Sequence, residues 1–322
     1  MPPLTLARHA MATRFELVLY GDNPVALRAA GEEALNEIER LEAQLSLFRP
    51  SSEIAHLNAR AAQAPVRVTP AVFALLQHAQ RLHQESGGAF DITIAPLVRC
   101  WGFMDGSGHF PQAGELEEAR ACVGMSLVQL DPRDFTVRFS RPGVMLDLGA
   151  IGKGYAIERA AEVLREAGVT SALLHGGTSS VQALSHPPDA ESWKIAIERP
   201  RPGLARPPPA PGQQPSLLAT VPLCDAAMSV SAVWGKFFQA EGRTYGHVLD
   251  PRTGQPVAGT ALAAVVLPSA TEADALSTAL LTLGAAGHDT IAKLRPDMRS
   301  LLVAETAAGF HVEARGIAFT SI

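Results

Sequence analysis

Val144-Met145-Leu146-Asp147-Leu148-Gly149-Ala150-Ile151-Gly152-Lys153-Gly154-Tyr155 is the stretch that takes this chain from strand to helix. Val144 to Asp147 reads as a short strand, three glycines interrupt it, and Ile157, Ala161, Val163 and Leu164 then recur with helical spacing. The helix should close at Ala167-Gly168, where glycine can take the left-handed cap conformation. A run of strands comes after it, expected at 171–175, 179–184, 193–198 and 217–222, with another at 262–267. Single helices between runs of strands, without strict alternation or an internal repeat, predict an α+β fold. Its sheets should be mixed or antiparallel with packed helices, not doubly wound and parallel.

On the N-terminal side, Thr13-Arg14-Phe15-Glu16-Leu17-Val18-Leu19-Tyr20 alternates at period two and ends at the turn residues Gly21-Asp22-Asn23-Pro24. Leu27, Ala30, Ala34, Ile38, Leu41 and Leu45 then mark the apolar face of a helix running to about Leu45. A second amphipathic helix starts at Thr69-Pro70, with threonine as cap, and carries Val72, Phe73, Leu76, Ala79 and Leu82 toward Gly87-Gly88. Two short runs flanking Asp131-Pro132-Arg133-Asp134 predict a hairpin. Seven prolines and no periodic apolar face between 199 and 215 read as a mobile surface insertion joining two strands of one 322-residue domain.

Composition bounds the function. With 47% hydrophobic and 18% charged residues the chain can bury a large core. Its 27 Lys and Arg against 32 Asp and Glu, a net charge of −5, argue against a nucleic-acid surface and suit a small-molecule clientele. No apolar run reaches the roughly 18 residues of a membrane span. The first residues, Met1-Pro2-Pro3-Leu4-Thr5, lack the charged and apolar regions of a secretory signal, so a soluble cytoplasmic protein is expected. Cys100, Cys122 and Cys224 are odd in number and widely spaced, and give neither a zinc site nor a disulfide framework.

Four segments have residues suited to chemistry, and each also has a purely structural reading. Asp274 and Thr278, four apart on one helix face, fit a capping box with Thr271 as cap and Asp274 at the third helical position. They equally offer a carboxylate and a hydroxyl, hard oxygen ligands for Mg²⁺. The glycine turn before the helix at 154–168 is too short for a Walker loop, but its free N–H groups favour anions. Lys153 within it is one of only four lysines against 23 arginines. His247 and Asp250, in Tyr245-Gly246-His247-Val248-Leu249-Asp250-Pro251-Arg252-Thr253-Gly254-Gln255-Pro256, sit at a strand end or simply build a turn. Ser86-Gly87-Gly88-Ala89-Phe90-Asp91 is a helix stop or part of a pocket.

In series, these segments resemble the FAD:protein FMN transferase family, the ApbE-like flavin transferases. The resemblance is carried by Met11-Ala12-Thr13, by Leu45-Ser46-Leu47-Phe48-Arg49-Pro50, by Gly88-Ala89-Phe90-Asp91 and by Trp101-Gly102-Phe103. Further along, Asp147 to Ala156, Gly176-Gly177, His247 to Gly254 and Ala273-Asp274-Ala275 with Thr278 continue it. It implies an ApbE-like, T-fold-related fold and an enzyme that cleaves FAD, passes FMN as a phosphoester to a threonine or serine of an acceptor flavoprotein, and releases AMP. Mg²⁺ would be held by Asp274, Thr278 and the backbone carbonyl of Ala150. Met11, Phe48, Ala89, Phe90, Asp91, Asp147, Lys153 and Val248 would line the FAD pocket.

Two stretches depart from the family pattern. Thr178-Ser179-Ser180 follows the glycine pair where an acidic or amide residue is usual, and Ser231-Ala232 stands where some members have a histidine. The general base is left to His247 and Asp250 as candidates. An FAD pyrophosphatase and a non-catalytic flavin-binding protein are the rival readings. The absence of G-x-G-x-x-G after a strand counts against a dinucleotide-binding oxidoreductase.

Overall fold

Period-two alternation builds the first hairpin, β1 (Leu4–Ala10) with β2 (Thr13–Tyr20), in the computed structural model, which describes residues 2–106, 108–200, 216–240, 243–307 and 309–320. Asn23 caps α1 (Pro24–Leu45) by accepting from the N–H groups of Val25 and Ala26, each at 3.1 Å, with Pro24 in the first turn. The face expected from sequence is the buried one. Next come α2 (Glu53–Arg60), β3 (Val66–Arg67), α3 (Pro70–Glu85), α4 (Ala95–Cys100), α5 (Ala113–Arg120) and the hairpin β4 (Val128–Asp131) with β5 (Thr136–Phe139). The chain then enters α6 (Gly152–Glu166), followed by β6 (Ser171–Gly176), β7 (Ser180–Leu184), β8 (Trp193–Glu198), β9 (Leu217–Leu223) and β10 (Ala227–Ala232). It ends with β11 (Phe237–Ala240), β12 (Arg243–Gly246), β13 (Thr260–Leu267), α7 (Ala270–Leu283), α8 (Ala285–Ala292), β14 (Arg299–Thr306) and β15 (Gly309–Arg315).

The frame is an eight-stranded sheet in the order β1-β2-β6-β7-β10-β13-β14-β15, antiparallel at every pairing, so strands from the two ends of the chain form its edges. The α+β expectation holds. Helices α1, α6 and α7 cover one face and the β8-β9 hairpin covers the other. On β13, Ala263, Val265 and Leu267 therefore join the helix-side core, while Leu262, Ala264 and Val266 join Trp193, Ile197 and Val221 on the far side. Both faces of that strand are dry, which is why it reads as a continuous apolar run. Residues 201–215 of the proline-rich stretch lie outside the described residues. Its flanks are the paired strands β8 and β9, joined also by Arg199 N donating to the Ser216 carbonyl at 2.8 Å.

Three local expectations are corrected. Val144 to Asp147 joins no sheet. Leu146 instead exchanges two bonds with the Asn58 side-chain amide, at 2.7 and 3.0 Å, and Asp147 N donates to the Ile92 carbonyl. An amide side chain thus takes the place of a neighbouring strand. Thr69 precedes α3 but makes no cap bond, because its hydroxyl is engaged by Glu53 and Gln44. The cap of α7 is Ser269, not Thr271: Ser269 Oγ accepts from Glu272 N and donates to Glu158 Oε2, which also accepts from Thr271 N. Asp274 is therefore the fifth helical residue and takes no part in capping.

Candidate active site

The ends of α6, α7, β7 and β10 meet around one carboxylate. Asp274, only 3% exposed, projects from α7 toward the first turn of α6. Its Oδ2 accepts from Gly154 N at 2.9 Å, an approach that only glycine permits, since a methyl at Gly154 would meet the Ala270 carbonyl and Asp274 Cβ. Its Oδ1 faces the hydroxyls of Ser229 at 3.0 Å and Ser180 at 3.3 Å, with Lys153 Nζ at 3.9 Å. One turn on, Thr278 Oγ1 lies 3.0 Å from Ser231 Oγ and returns a bond to the Asp274 carbonyl. Thus Thr278 both bonds the carbonyl one turn back and faces a hydroxyl cluster. Ser180, Ser229 and Ser231 fall in or beside the stretches that depart from the family pattern.

Among the described residues no group of three or more His, Cys, Asp or Glu side chains is placed to hold a metal. What the site offers is a single buried carboxylate among hydroxyls. Peptide N–H fixes Oδ2, whereas Oδ1 meets only hydroxyl groups, which can rotate to present lone pairs, and a lysine beyond hydrogen-bond distance. Such a hard-oxygen set suits Mg²⁺, which retains water or substrate oxygens at its other positions, and does not suit softer metals. Ala150 is in the turn directly before α6.

Lys153, at the N-terminus of α6, also lies 3.4 Å from the Gly149 carbonyl. Asp147 Oδ1 accepts from Gly149 N at 2.8 Å. Burial pushes the Asp147 carboxyl up, against the Gly149 N–H and the charges of Lys153 and Lys236, which pull it down. Opposite stands His247. Its backbone N and its Nδ1 both donate to the Lys236 carbonyl, at 3.1 and 3.2 Å. A carbonyl can only accept, so Nδ1 carries the proton and Nε2 keeps a lone pair. Burial, with Lys236 and Lys153 nearby, holds the imidazole below its usual value despite that carbonyl. That environment favours the neutral imidazole, with Nδ1 turned to the Lys236 carbonyl.

Asp250 is differently occupied. Arg252 grips both of its carboxylate oxygens, at 2.9 and 2.8 Å, and the Arg252 and Gly254 N–H groups close the turn on it. This turn borders a cavity of about 450 Å³ lined by His83, Gly88, Asp91, Arg120 and Arg252, among others. In its wall Asp91 accepts from Thr93 at 2.7 and 2.6 Å and faces His83 Nδ1 at 3.1 Å. Burial alone would push His83 down, but Asp91 and the Phe90 carbonyl hold it above its ordinary value.

The remaining expected pocket residues are dispersed. Ala89 and Phe90 are wholly buried in the main core and present no side-chain surface. Val248 packs at its margin. Phe48 follows α1 and is 71% exposed, an aromatic face without a protein partner to bury it. Met11 and Ala12 form the β1-β2 turn with φ of 49° and 58°, a left-handed pair usually filled by asparagine and glycine. Sequence reading missed Lys236, His83 and Ser229, and noted Ser180 and Ser231 only as departures from the family pattern. Lysine scarcity, which drew attention to Lys153, applied equally to Lys236.

A profile of the ApbE family matches residues 11–302. The chain belongs to the ApbE family. It is 31% identical over 293 residues to an FAD:protein FMN transferase of Treponema pallidum, covering 86% of this chain and 78% of that protein. A relative of the same name from Vibrio cholerae is 27% identical over 277 residues, covering 85% and 78%. Among solved structures, the flavinyl transferase ApbE of Pseudomonas stutzeri superposes with a TM-score of 0.82 at 29% identity, over 98% of this chain and 95% of that one. The ApbE protein of Thermotoga maritima superposes with 0.85 at 25% identity, over 98% and 97%. The segment matched in this ApbE family member includes Asp147, Lys153, His247, Asp274 and Thr278.

Proposed function

We propose that the chain is a flavin transferase that takes FAD as its substrate, attaches FMN through a phosphoester to a threonine or serine of an acceptor flavoprotein, and releases AMP. Family membership and the name of the Treponema pallidum relative support the flavin chemistry. The observation that carries the site assignment is the buried Asp274 carboxylate, ringed by hydroxyls and set against Lys153 at a helix N-terminus. Asp274, Thr278 and the Ala150 carbonyl are the residues that would hold Mg²⁺, which when bound supplies neutralisation of diphosphate charge.

The chain's own groups account for the rest. Lys153 and the N–H groups that open α6 attract the diphosphate. His247 Nε2 takes the proton as the acceptor hydroxyl attacks the phosphorus of the FMN half; the new O–P bond forms, the anhydride bond breaks and AMP leaves with the bond electrons. Asp250 holds the turn behind His247 through Arg252. Asp147 accepts a hydrogen bond from a nucleotide hydroxyl or amino group, and Asp91 serves the FAD from the wall of the neighbouring cavity. Phe48, Met11 and Val248 offer apolar surface to flat rings; Ala89 and Phe90 shape the pocket from the core.

Incubation with FAD and Mg²⁺, with and without a candidate acceptor, tests this. AMP release together with an acceptor mass increase equal to FMN is the expected result. AMP and free FMN without attachment would make the protein a pyrophosphatase, and FAD binding without AMP release would make it a flavin carrier.

A further inference from the structure

The β11-β12 hairpin places a second lysine beside His247. Its register pairs Phe237 with Gly246 and Phe238 with Tyr245. Continued past its base, the ladder sets Lys236 opposite His247, and His247 N does donate to the Lys236 carbonyl. Both residues are bends just outside the two strands, held together by the Lys236 carbonyl, which accepts from His247 N and Nδ1. Two features keep this rung in place. The stacked Phe238–Tyr245 pair packs on Trp101, whose indole donates to the Gly254 carbonyl at 2.8 Å. Gly235, at φ 130°, runs beside the imidazole, where a Cβ would make van der Waals contact with His247 Cε1 at 3.4 Å.

Lys236 itself is exposed and bonds to His247 through its backbone, which leaves its ammonium free to act elsewhere. Its charge bears on both Asp147 and His247, the same two groups on which Lys153 bears. Two of the chain's four lysines thus converge from separate elements, the α6 turn and the hairpin base. They stand against two carboxylates, Asp147 and Asp274.

Resting on the flavin-transferase reading of this site, we propose that Lys236 is a second phosphate-binding lysine, which closes with Lys153 on the diphosphate of FAD from the hairpin side. A flexible ammonium at an exposed position acts there as a point charge, tolerant of small shifts of the ligand.

The test is FAD affinity, read by flavin fluorescence in the wild type, Lys236→Gln, Lys236→Arg and Lys194→Gln, at two salt concentrations. Lys194 lies on β8 and serves as the same charge loss elsewhere. Lys236→Gln is expected to raise the FAD Kd about tenfold at low salt and to flatten its salt dependence. Lys236→Arg should restore binding and Lys194→Gln should leave it unchanged. Unaltered affinity in Lys236→Gln would overturn the proposal, as would equal loss in the Gln and Arg variants or in Lys194→Gln. Those outcomes would leave flavin transfer standing as long as the wild type releases AMP from FAD; a wild type that binds no FAD would remove both.

Discussion

Gly154→Ala isolates the contact on which the Asp274 geometry depends. In an open helix the change is favourable by about 1 kcal/mol, because alanine loses less backbone freedom. Here the added methyl would run into the Ala270 carbonyl oxygen and come to 2.7 Å from Asp274 Cβ, both of them backbone or backbone-proximal atoms that cannot rotate aside. Relief requires α6 to move away from α7 by about 1 Å, enough to forfeit a quarter to a half of the dispersion attraction along the interface. Overpacking of this kind costs about 3 kcal/mol, so the net loss is about 2 kcal/mol and the melting temperature falls by about 4 °C. The shift also lengthens the Gly154 N to Asp274 Oδ2 bond, now 2.9 Å, so Mg²⁺-dependent AMP release should fall more than stability does. Gly114→Ala in α5 is the control. A Cβ at Gly114 meets nothing within 4 Å, and the variant should be neutral or slightly stabilised with full activity. Thermal melts and AMP release decide it. A Gly154→Ala protein as stable and active as wild type would refute the close-approach argument.

Three further outcomes are expected. Ser269→Ala should cost about 1 kcal/mol of stability through loss of the α7 cap while retaining AMP release, whereas Asp274→Ala should abolish release; the reverse pattern would return Asp274 to a structural role. The base form of His247 is the neutral one and burial lowers its pKa, so kcat/KM should be flat above pH 7 and fall in acid; an acid limb that persists unchanged in His247→Gln would exclude His247 as the base. Glu272 is pushed up by burial, but bonds from His78 and Arg295 hold it down to about 2. Its folded value is below its unfolded one, so its contribution is present above pH 4.5 and disappears as pH falls toward 2. Glu272→Gln should therefore destabilise by about 1 to 3 kcal/mol at pH 7 and by progressively less in acid, and a pH-independent difference would refute the pairing.

Several elements with one wet face were legible from sequence. Helices α1 and α3 bury the residues whose spacing marked them, and β2 and the β4-β5 hairpin follow their alternation. The strands β1, β11 and β15 were not picked out although each has an exposed face, and two further kinds of element escaped. β10 (Ala-Met-Ser-Val-Ser-Ala) and β14 are covered on both sides and show no period to read. The short helices α2, α4, α5 and α8, six to eight residues each, hold too few turns for an apolar face to recur. The false strand at Val144 to Asp147 has strand-like residues, but its bonding partner is the Asn58 amide 88 residues earlier in the chain, which local pattern cannot reveal.

The same distinction explains the site. Lys153 and His247 stood out in short unusual segments and Asp274 with Thr278 by their four-residue spacing, while the roles of all of these and of Asp147 came from the family resemblance. The hydroxyls around Asp274 could not be singled out in this way, since Ser180 and Ser229 approach it from 94 and 45 residues away and a serine within a strand is unremarkable by itself. Their consequence is chemical. A carboxylate fixed on one oxygen by a peptide N–H and met on the other by rotatable hydroxyls keeps its negative charge desolvated without committing its second oxygen, the condition under which a hard cation gains most by binding. Ser229→Ala should therefore weaken Mg²⁺ binding only modestly, because the hydroxyl tunes rather than supplies the charge. Asp274→Asn, nearly identical in shape, should eliminate the Mg²⁺-dependent rise in melting temperature, and a Mg²⁺ shift that survives in Asp274→Asn would mean that the cation binds elsewhere.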